Sequence, residues 1–507
     1  MKRLEKDILN LYRSLINKEF VAKQVAENSD PAYSLSAMNL VRYITLRNQD
    51  LRNVHDHLSE IGISSLRSCE GYVMNNVTSV LRLVKLINGE IWEPTEEIET
   101  IGYKASKKLL KKHTKQLFNT KKRNRDTKIM VTLPREAAFD PDMIRQLIVQ
   151  GMEVARINLC QGTATEWLML INHIHEQREL LGVDCKIYMD LSGPKFKIGK
   201  IKFRKGSKKS KDFIRLHKGD HLVLCKKATD TQDIRIGALG ESIRKPKVSV
   251  SNIAIIDETQ IGDQVIFGNG KIESRVIKKR KDELEVIIIS ESAKGKKLNS
   301  EATINLPDTK LDISSLTQSD INNLPLVMKH ADLVGYPYVR TTDDIKALYK
   351  ELDKYDRKDI GIVFKIENEQ AFENLPMLLL EAMKRPRIGV MIARGNLAVE
   401  IGADRIAEVQ DQIMWICEAA HIPVIWATQV LENLTSTGIA TRAEITDAAK
   451  SARAECVMLN KGPHAIEAVT MLSKILEKME GHTSKKKSVM RALKVSMKNL
   501  DRMGMGE

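Results

Sequence analysis

Between residues 128 and 461, short apolar runs alternate with amphipathic stretches eight times, and few architectures accommodate that rhythm. The runs are KIMVTLP (128–134), VARINL (154–159), KIYMDL (186–191), ADLVGYPYV (331–339), GIVFKIEN (361–368), IGVMIA (388–393), PVIWATQ (423–429) and CVMLNK (456–461). Segments with helical spacing, such as TEWLMLINHIHEQRELL and AEVQDQIMWICEAAH, lie between them. A strand that is always followed by a helix must cross over to pair in parallel. Eight such units predict an α/β fold in which the sheet closes on itself, a TIM (β/α)8 barrel, rather than an open sheet.

One crossover breaks the rhythm. More than a hundred residues separate the third run from the fourth, and segments within them (DHLVLC, KVSVSNIAII, DQVIFGNGKIESRVI, ELEVIIIS) have β character. We therefore expect a small inserted β-barrel-like domain over 200–305, dividing the barrel domain into 126–199 and 306–481. Ahead of it, apolar residues at helical spacing (Ile8, Leu9, Tyr12 and Leu15, then Val73, Val77, Val80, Leu81 and Val84) predict an α-helical domain over 1–125. Residues 482–507 read as a basic tail, its KKK run disordered.

Charge narrows the partners. Lys and Arg number 81 against 66 Asp and Glu, a formal net charge of +15 that attracts anions such as phosphates, nucleotides or nucleic acid. The basic residues concentrate at Lys104, Lys107, Lys108, Lys111, Lys112, Lys115 and KKRNR (121–125), with a second cluster, KFRKGSKKSK, at 202–211. A solvated helix face with a linker is favoured over a nucleic-acid arm for the first, and a solvated loop over a binding patch for the second. The six cysteines show neither paired nor metal-ligand spacing, and the N-terminus mixes charged with apolar residues. Both features predict a soluble cytoplasmic protein without a membrane segment.

In a (β/α)8 barrel the chemistry gathers at the C-terminal strand ends. Here those ends carry Arg156 and Asn158, Asp190, Lys365 and Glu367, and Thr428 and Gln429; Arg394, Gly395 and Asn396 form a turn after the sixth strand that could offer N–H groups to an anion. Alternation puts Arg156 with Asn158, and Lys365 with Glu367, on one face. Any single one could be a structural ion pair. Taken together, two cations and a carboxylate suit a phosphorylated substrate with a divalent metal, because magnesium prefers one or two carboxylates plus phosphate oxygens.

The strings VARINL, MDLSGPKFKIG, FKIEN, MIARGNLAVE and VIWATQVLE stand in the order and at the strand ends of the pyruvate kinase family, which the chain resembles from about 127 to 480. NLVRYITLRNQDLRNVHDHLSEIGISSL and RAECVMLNKGP further resemble a bacterial subgroup with an added helical domain and no C-terminal regulatory domain. The resemblance implies transfer of phosphate from phosphoenolpyruvate to ADP, giving pyruvate and ATP in glycolysis, with Mg2+ or Mn2+. Lys365 would stabilise the moving phosphoryl group, and Arg156 would bind phosphate. The backbone of Gly395 and Asn396 would cradle the substrate carboxylate, while Thr428 would assist protonation of the enolate. Glu367 and Asn396 would face the metal, and Glu400 matches a position that could serve only to brace its loop. The monovalent-cation region would be Asn158 and Asp190. There Lys195 replaces a glutamate and Cys160 a serine, so a tethered ammonium implies activity without K+. The family is commonly a tetramer; a dimer is equally compatible with a missing C-terminal domain.

Several positions depart from the family pattern. Asn396 stands where ARGD supplies an aspartate, Pro337 replaces the serine of SFVR, Lys197 replaces an arginine, and Gly268 and Asn269 replace two acids. An amide can ligate magnesium but brings no charge, so a rate loss on the order of 10²–10³ is expected. The alternative to a slowed pyruvate kinase is a non-catalytic relative that binds a phosphometabolite or nucleotide. Nucleic-acid binding through the basic linker is the third and least favoured reading.

Overall fold

The eight apolar runs pair as a closed parallel barrel. Its strands are β1 (Lys128–Thr132), β2 (Val154–Asn158), β3 (Lys186–Asp190), β4 (Leu333–Tyr336), β5 (Gly361–Ile366), β6 (Ile388–Ala393), β7 (Val424–Ala427) and β8 (Cys456–Leu459). Neighbours in sequence are neighbours in space, and β8 closes onto β1 with Lys128 opposite Cys456. The ring is not interrupted where the insert leaves it: Leu333, Val334 and Gly335 of β4 pair with Tyr188, Met189 and Asp190 of β3. The computed structural model describes residues 1–63, 66–94, 97–120, 123–194, 196–201, 212–227, 235–236, 242–268, 270–290, 292, 294–311, 313–480 and 494–505. Lys195, Asn269, Lys121, Lys122, the lysine cluster at 202–211 and the KKK run lie outside the described residues.

Several strands stop earlier than hydrophobicity predicts. β7 ends at Ala427 because Thr428 and Gln429 adopt left-handed backbone (φ 65° and 55°), which cannot continue a ladder. β4 ends at Tyr336, before Pro337, which has no N–H to donate, and Tyr338 then turns with φ 52°.

The chain divides into two compact units. The first comprises Met1–Ser192, Gln318–Arg394 and Ala407–Glu507, so the N-terminal helices belong to the same unit as the barrel. These helices are α1 (Lys2–Ile16), α2 (Glu19–Glu27), α3 (Ser34–Arg47), α4 (Arg52–Glu60), α5 (Val73–Ile87) and α6 (Tyr103–Phe118). In α1 the buried residues Leu4, Ile8, Leu11, Tyr12 and Leu15 form one stripe, whereas α3 is buried on almost every side. Asn39 of α3 joins two segments by donating to Glu70 O at 2.7 Å and Ala419 O at 2.8 Å.

Helix α6 reaches the barrel itself. Leu117 and Phe118 at its C-terminal end are fully buried in one cluster with Met130, Val154, Leu333, Val363 and Met391. A Cβ at Gly361 or Gly389 would meet a Leu117 methyl at 2.9 or 2.6 Å, so these glycines at the starts of β5 and β6 leave room for the leucine. Near the C-terminus, Lys494–Arg502 forms a helix with Val495 and Leu500 buried, an element that the basic composition of this region did not announce. Among the described residues no helix is long and apolar enough to cross a membrane.

The second unit comprises Gly193–Thr317 with Gly395–Ile406. Six strands form its main sheet in the spatial order Ile304–Asn305, Gln264–Phe267, Ile272–Lys279, Glu283–Ile288, His221–Cys225 and Lys247–Ser249. Alternate residues of Glu283–Ile288 are buried, the pattern of a sheet with one dry face, and Leu222, Leu224, Val265, Phe267, Leu284 and Val286 build the core behind it.

Candidate active site

At the C-terminal ends of β2, β3 and β5, four charged side chains converge. Asp190, the last residue of β3, is 1% exposed, and burial of a carboxylate without a partner would be costly. Its partners come from both sides. Arg156 donates through Nε to Asp190 Oδ2 at 3.1 Å and through Nη2 to the same oxygen, while Nη1 donates to Thr132 Oγ1 at 2.9 Å. From β5, Lys365 Nζ donates to Asp190 Oδ2 at 3.1 Å and stands 2.8 Å from Glu367 Oε1. Tyr188 OH donates to Asp190 Oδ1 at 3.4 Å.

The reach from β5 to β3 crosses β4. Gly335 lies opposite Asp190 in the β3–β4 ladder, and a Cβ there would overlap Tyr188 OH and Asp190 Oδ1. The missing side chain is what lets the Lys365 ammonium and the Asp190 carboxylate meet.

The charges reinforce one another. Burial by itself would raise the Asp190 pKa, but the Lys365 ammonium and the Arg156 guanidinium outweigh it and hold the carboxyl below its usual range. Burial would likewise lower Lys365, yet Asp190 and Glu367 keep it above the ordinary lysine value. Burial, then the Asp190 charge, pushes the Tyr188 phenol far up, so it remains a neutral donor. The cluster thus offers a fixed, buried ammonium beside a fixed guanidinium, the arrangement that stabilises charge developing on a phosphoryl group.

Thr428 follows β7 in a backbone conformation unusual for a β-branched residue. Arg394 holds this corner: Nε donates to Ala427 O at 3.1 Å and Nη2 to Thr428 O at 2.6 Å. Asp447 grips the same guanidinium at 2.6 and 2.9 Å, and the Trp426 ring lies 4.7 Å beneath it. Asn158 uses its Oδ1 to accept the Cys160 N–H at 3.0 Å, shaping the turn after β2, and Cys160 Sγ lies 3.6 Å from Ser192 O.

Gly395 and Asn396 are in the first turn of a helix, Arg394–Ile401, rather than in the open turn expected from sequence; both are counted with the second unit. Within that unit Glu400 Oε1 accepts from Asn305 Nδ2 at 3.1 Å, a bracing contact. Lys195 lies outside the described residues, so the candidate monovalent-cation set is represented by Asn158 and Asp190. Sequence reasoning missed Thr132, Tyr188, Gly335 and Asp447. Gly335 was the one with a signal, a lone glycine within a strand pattern.

Among the described residues no group of three or more His, Cys, Asp or Glu gathers in a way that could hold a metal ion. The donor chemistry therefore does not make an all-protein cage. It does fit a hard divalent ion held by the buried Glu367 carboxylate and completed by substrate oxygens, the usual habit of magnesium.

The family model described as pyruvate kinase, barrel domain, matches residues 124–469. A pyruvate kinase of Thermococcus litoralis is 31% identical over 361 residues, 70% of each chain. One from Thermotoga maritima is 30% identical over 364 residues, covering 70% of this chain and 71% of that one. One from Bacillus licheniformis is 28% identical over 389 residues, and the match spans 62% of its length. The crystal structure of a pyruvate kinase from Cryptosporidium parvum superposes with a TM-score of 0.62 at 23% identity, over 71% of this chain and 70% of that one, which speaks for the fold. With the family model spanning most of the chain and the barrel carrying its charged residues at the ends of the strands, this protein belongs to the pyruvate kinase family.

Proposed function

We propose that the chain transfers the phosphoryl group of phosphoenolpyruvate to ADP, yielding pyruvate and ATP. The observation that carries this reading is Lys365: buried, kept protonated by Asp190 and Glu367, and set beside Arg156. In the reaction the bond between phosphorus and the enol oxygen breaks as phosphorus bonds to a terminal ADP oxygen. Arg156 binds phosphate, and Lys365 stabilises charge on the transferring group without reorganising. The enolate left behind takes a proton at carbon, and Thr428, fixed by the Arg394 clamp, assists that step. A divalent ion would be held by Glu367, with Asn396 as the amide ligand that the sequence resemblance implies, and would supply charge neutralisation at the phosphate oxygens.

One sequence observation favours a second reading. Asn396 brings no charge where the family has an aspartate, which suits a relative that binds the phosphometabolite or nucleotide without turnover. The deciding test is pyruvate formation from phosphoenolpyruvate and ADP with Mg2+ and with Mn2+, each with and without K+, beside Lys365→Met. Turnover that needs the divalent metal and drops on the order of 10²–10³ in the variant supports the enzyme. Binding of phosphoenolpyruvate without turnover in either metal leaves the binding protein.

A further inference from the structure

A cleft in the first unit lies at the opposite end of the barrel from Lys365. It has a volume of about 770 Å³, within the range of small-molecule sites. Helix α6 contributes Lys108, Lys111, Lys112 and Lys115 to its lining, and the segments before β5 and β6 contribute Lys358 and Arg387. The α6 lysines fall at helical spacing on a single face, where like charges repel and weaken a bare helix. Asp359 is the one acid lining the cleft. Among the described residues Lys108, Lys112, Lys115 and Lys358 have no carboxylate within ion-pair distance, and Lys111 reaches only the exposed Asp126, at 3.3 Å.

Arg387 fixes the location. It immediately precedes β6, its Nη2 donates to Leu117 O at 3.3 Å, and its Nε is buried with no hydrogen-bond acceptor among the described residues. The cleft therefore borders the N-terminal end of the barrel, next to the Leu117 plug, on the face where conserved chemistry is not expected. A solvated lysine face accounts for exposed charges on one helix. It does not account for cations brought to the same cleft by the segments before β5 and β6, one of them a partly buried guanidinium that also donates to Asp359 O.

We propose that this cleft is a second anion site that takes a compact polyphosphate, distinct from the phosphoryl-transfer centre. No aromatic side chain lines it, so it offers no stacking platform for a base.

The test is calorimetric titration of the full chain with inorganic tripolyphosphate at low and moderate salt. The comparison proteins are the triple variant Lys111→Glu/Lys112→Glu/Lys115→Glu and Lys365→Met. All three lysines are exposed, and circular dichroism verifies that the triple variant is folded. The expected result is binding that weakens with salt, falls at least about tenfold in the triple variant and persists in Lys365→Met. Absence of binding to the unmodified chain overturns the proposal, as does equal affinity in the triple variant. Loss in Lys365→Met would assign the anion to the catalytic end instead. Tighter binding of a single-stranded oligonucleotide at equal phosphate concentration would make α6 a nucleic-acid surface and also overturn it.

Discussion

Gly335 of β4 lies directly opposite Asp190 of β3, so close that a Cβ at position 335 would overlap a carboxylate oxygen. Gly335→Ala is expected to force Asp190 and Tyr188 aside, costing about 1–3 kcal/mol of stability by overpacking. Because the displaced carboxylate also anchors Arg156 and Lys365, pyruvate formation should fall by more than stability alone dictates. Urea unfolding and kinetics on the same sample check this; an unchanged kcat would separate the Asp190 position from the chemistry.

Asp190→Asn leaves two buried cations facing one buried acid, and a cost of about 3–5 kcal/mol is expected at neutral pH. The pH dependence has a definite sign. The folded-state carboxyl lies below its ordinary value, so its contribution is complete above the unfolded pKa and is lost as pH falls through the folded one. Lys365 lies above its ordinary value, so its contribution holds through neutral pH and is lost only as pH rises beyond the lysine range. The stability difference between the parent and Asp190→Asn should thus be flat from about pH 5 to 9 and shrink in acid, as measured by urea titration at each pH.

His421 joins the N-terminal helices to the barrel. Its Nε2 lies 3.0 Å from Gly71 O, which can only accept, so Nε2 carries the proton, and Nδ1 accepts from the Ser36 hydroxyl at 3.0 Å. Burial, with a smaller push from His113, takes its pKa down to about 3, so the folded protein holds it neutral. Below the ordinary value of 6.5 the unfolded chain gains a proton that the folded one refuses, and stability falls by about 1.4 kcal/mol per pH unit from this group. His113, also lowered by burial, adds a loss of the same sign. His421→Asn should reduce the slope of stability between pH 4.5 and 6 by roughly one proton. An identical slope would contradict the assignment.

Asn396→Asp restores the acid that the family carries at this position. Turnover with Mg2+ is expected to rise, by up to about 10²–10³, and the apparent metal requirement to fall. Pyruvate formation titrated against Mg2+ reads both. A variant no faster than the parent would place the activity limit elsewhere.

The barrel was legible because its information is local and repeated. Each strand is a short apolar run and each helix an amphipathic one, so period and order suffice to predict closure. Strand ends were legible only to within two or three residues. Hydrophobicity continues past Ala427 into Thr428 and Gln429, while the backbone there has already turned left-handed under the Arg394 clamp. The helical region was also readable, but not its attachment. Nothing in α6 distinguishes Leu117 from its other apolar residues, although it is Leu117 that fills the space left by Gly361 and Gly389.

The linear chain thus determined the α/β rhythm, the place of the insert and which charged residues stand at strand ends, since these follow from side-chain type at fixed spacing. Folding decided their partnerships. Arg156, Asp190 and Lys365 are separated by 34 and 175 positions, and their shared carboxylate oxygen exists only because β4 between them presents a glycine. Asp447 meets Arg394 across 53 residues for the same reason: ion pairing depends on distances of a few ångströms, which only closure of the barrel creates.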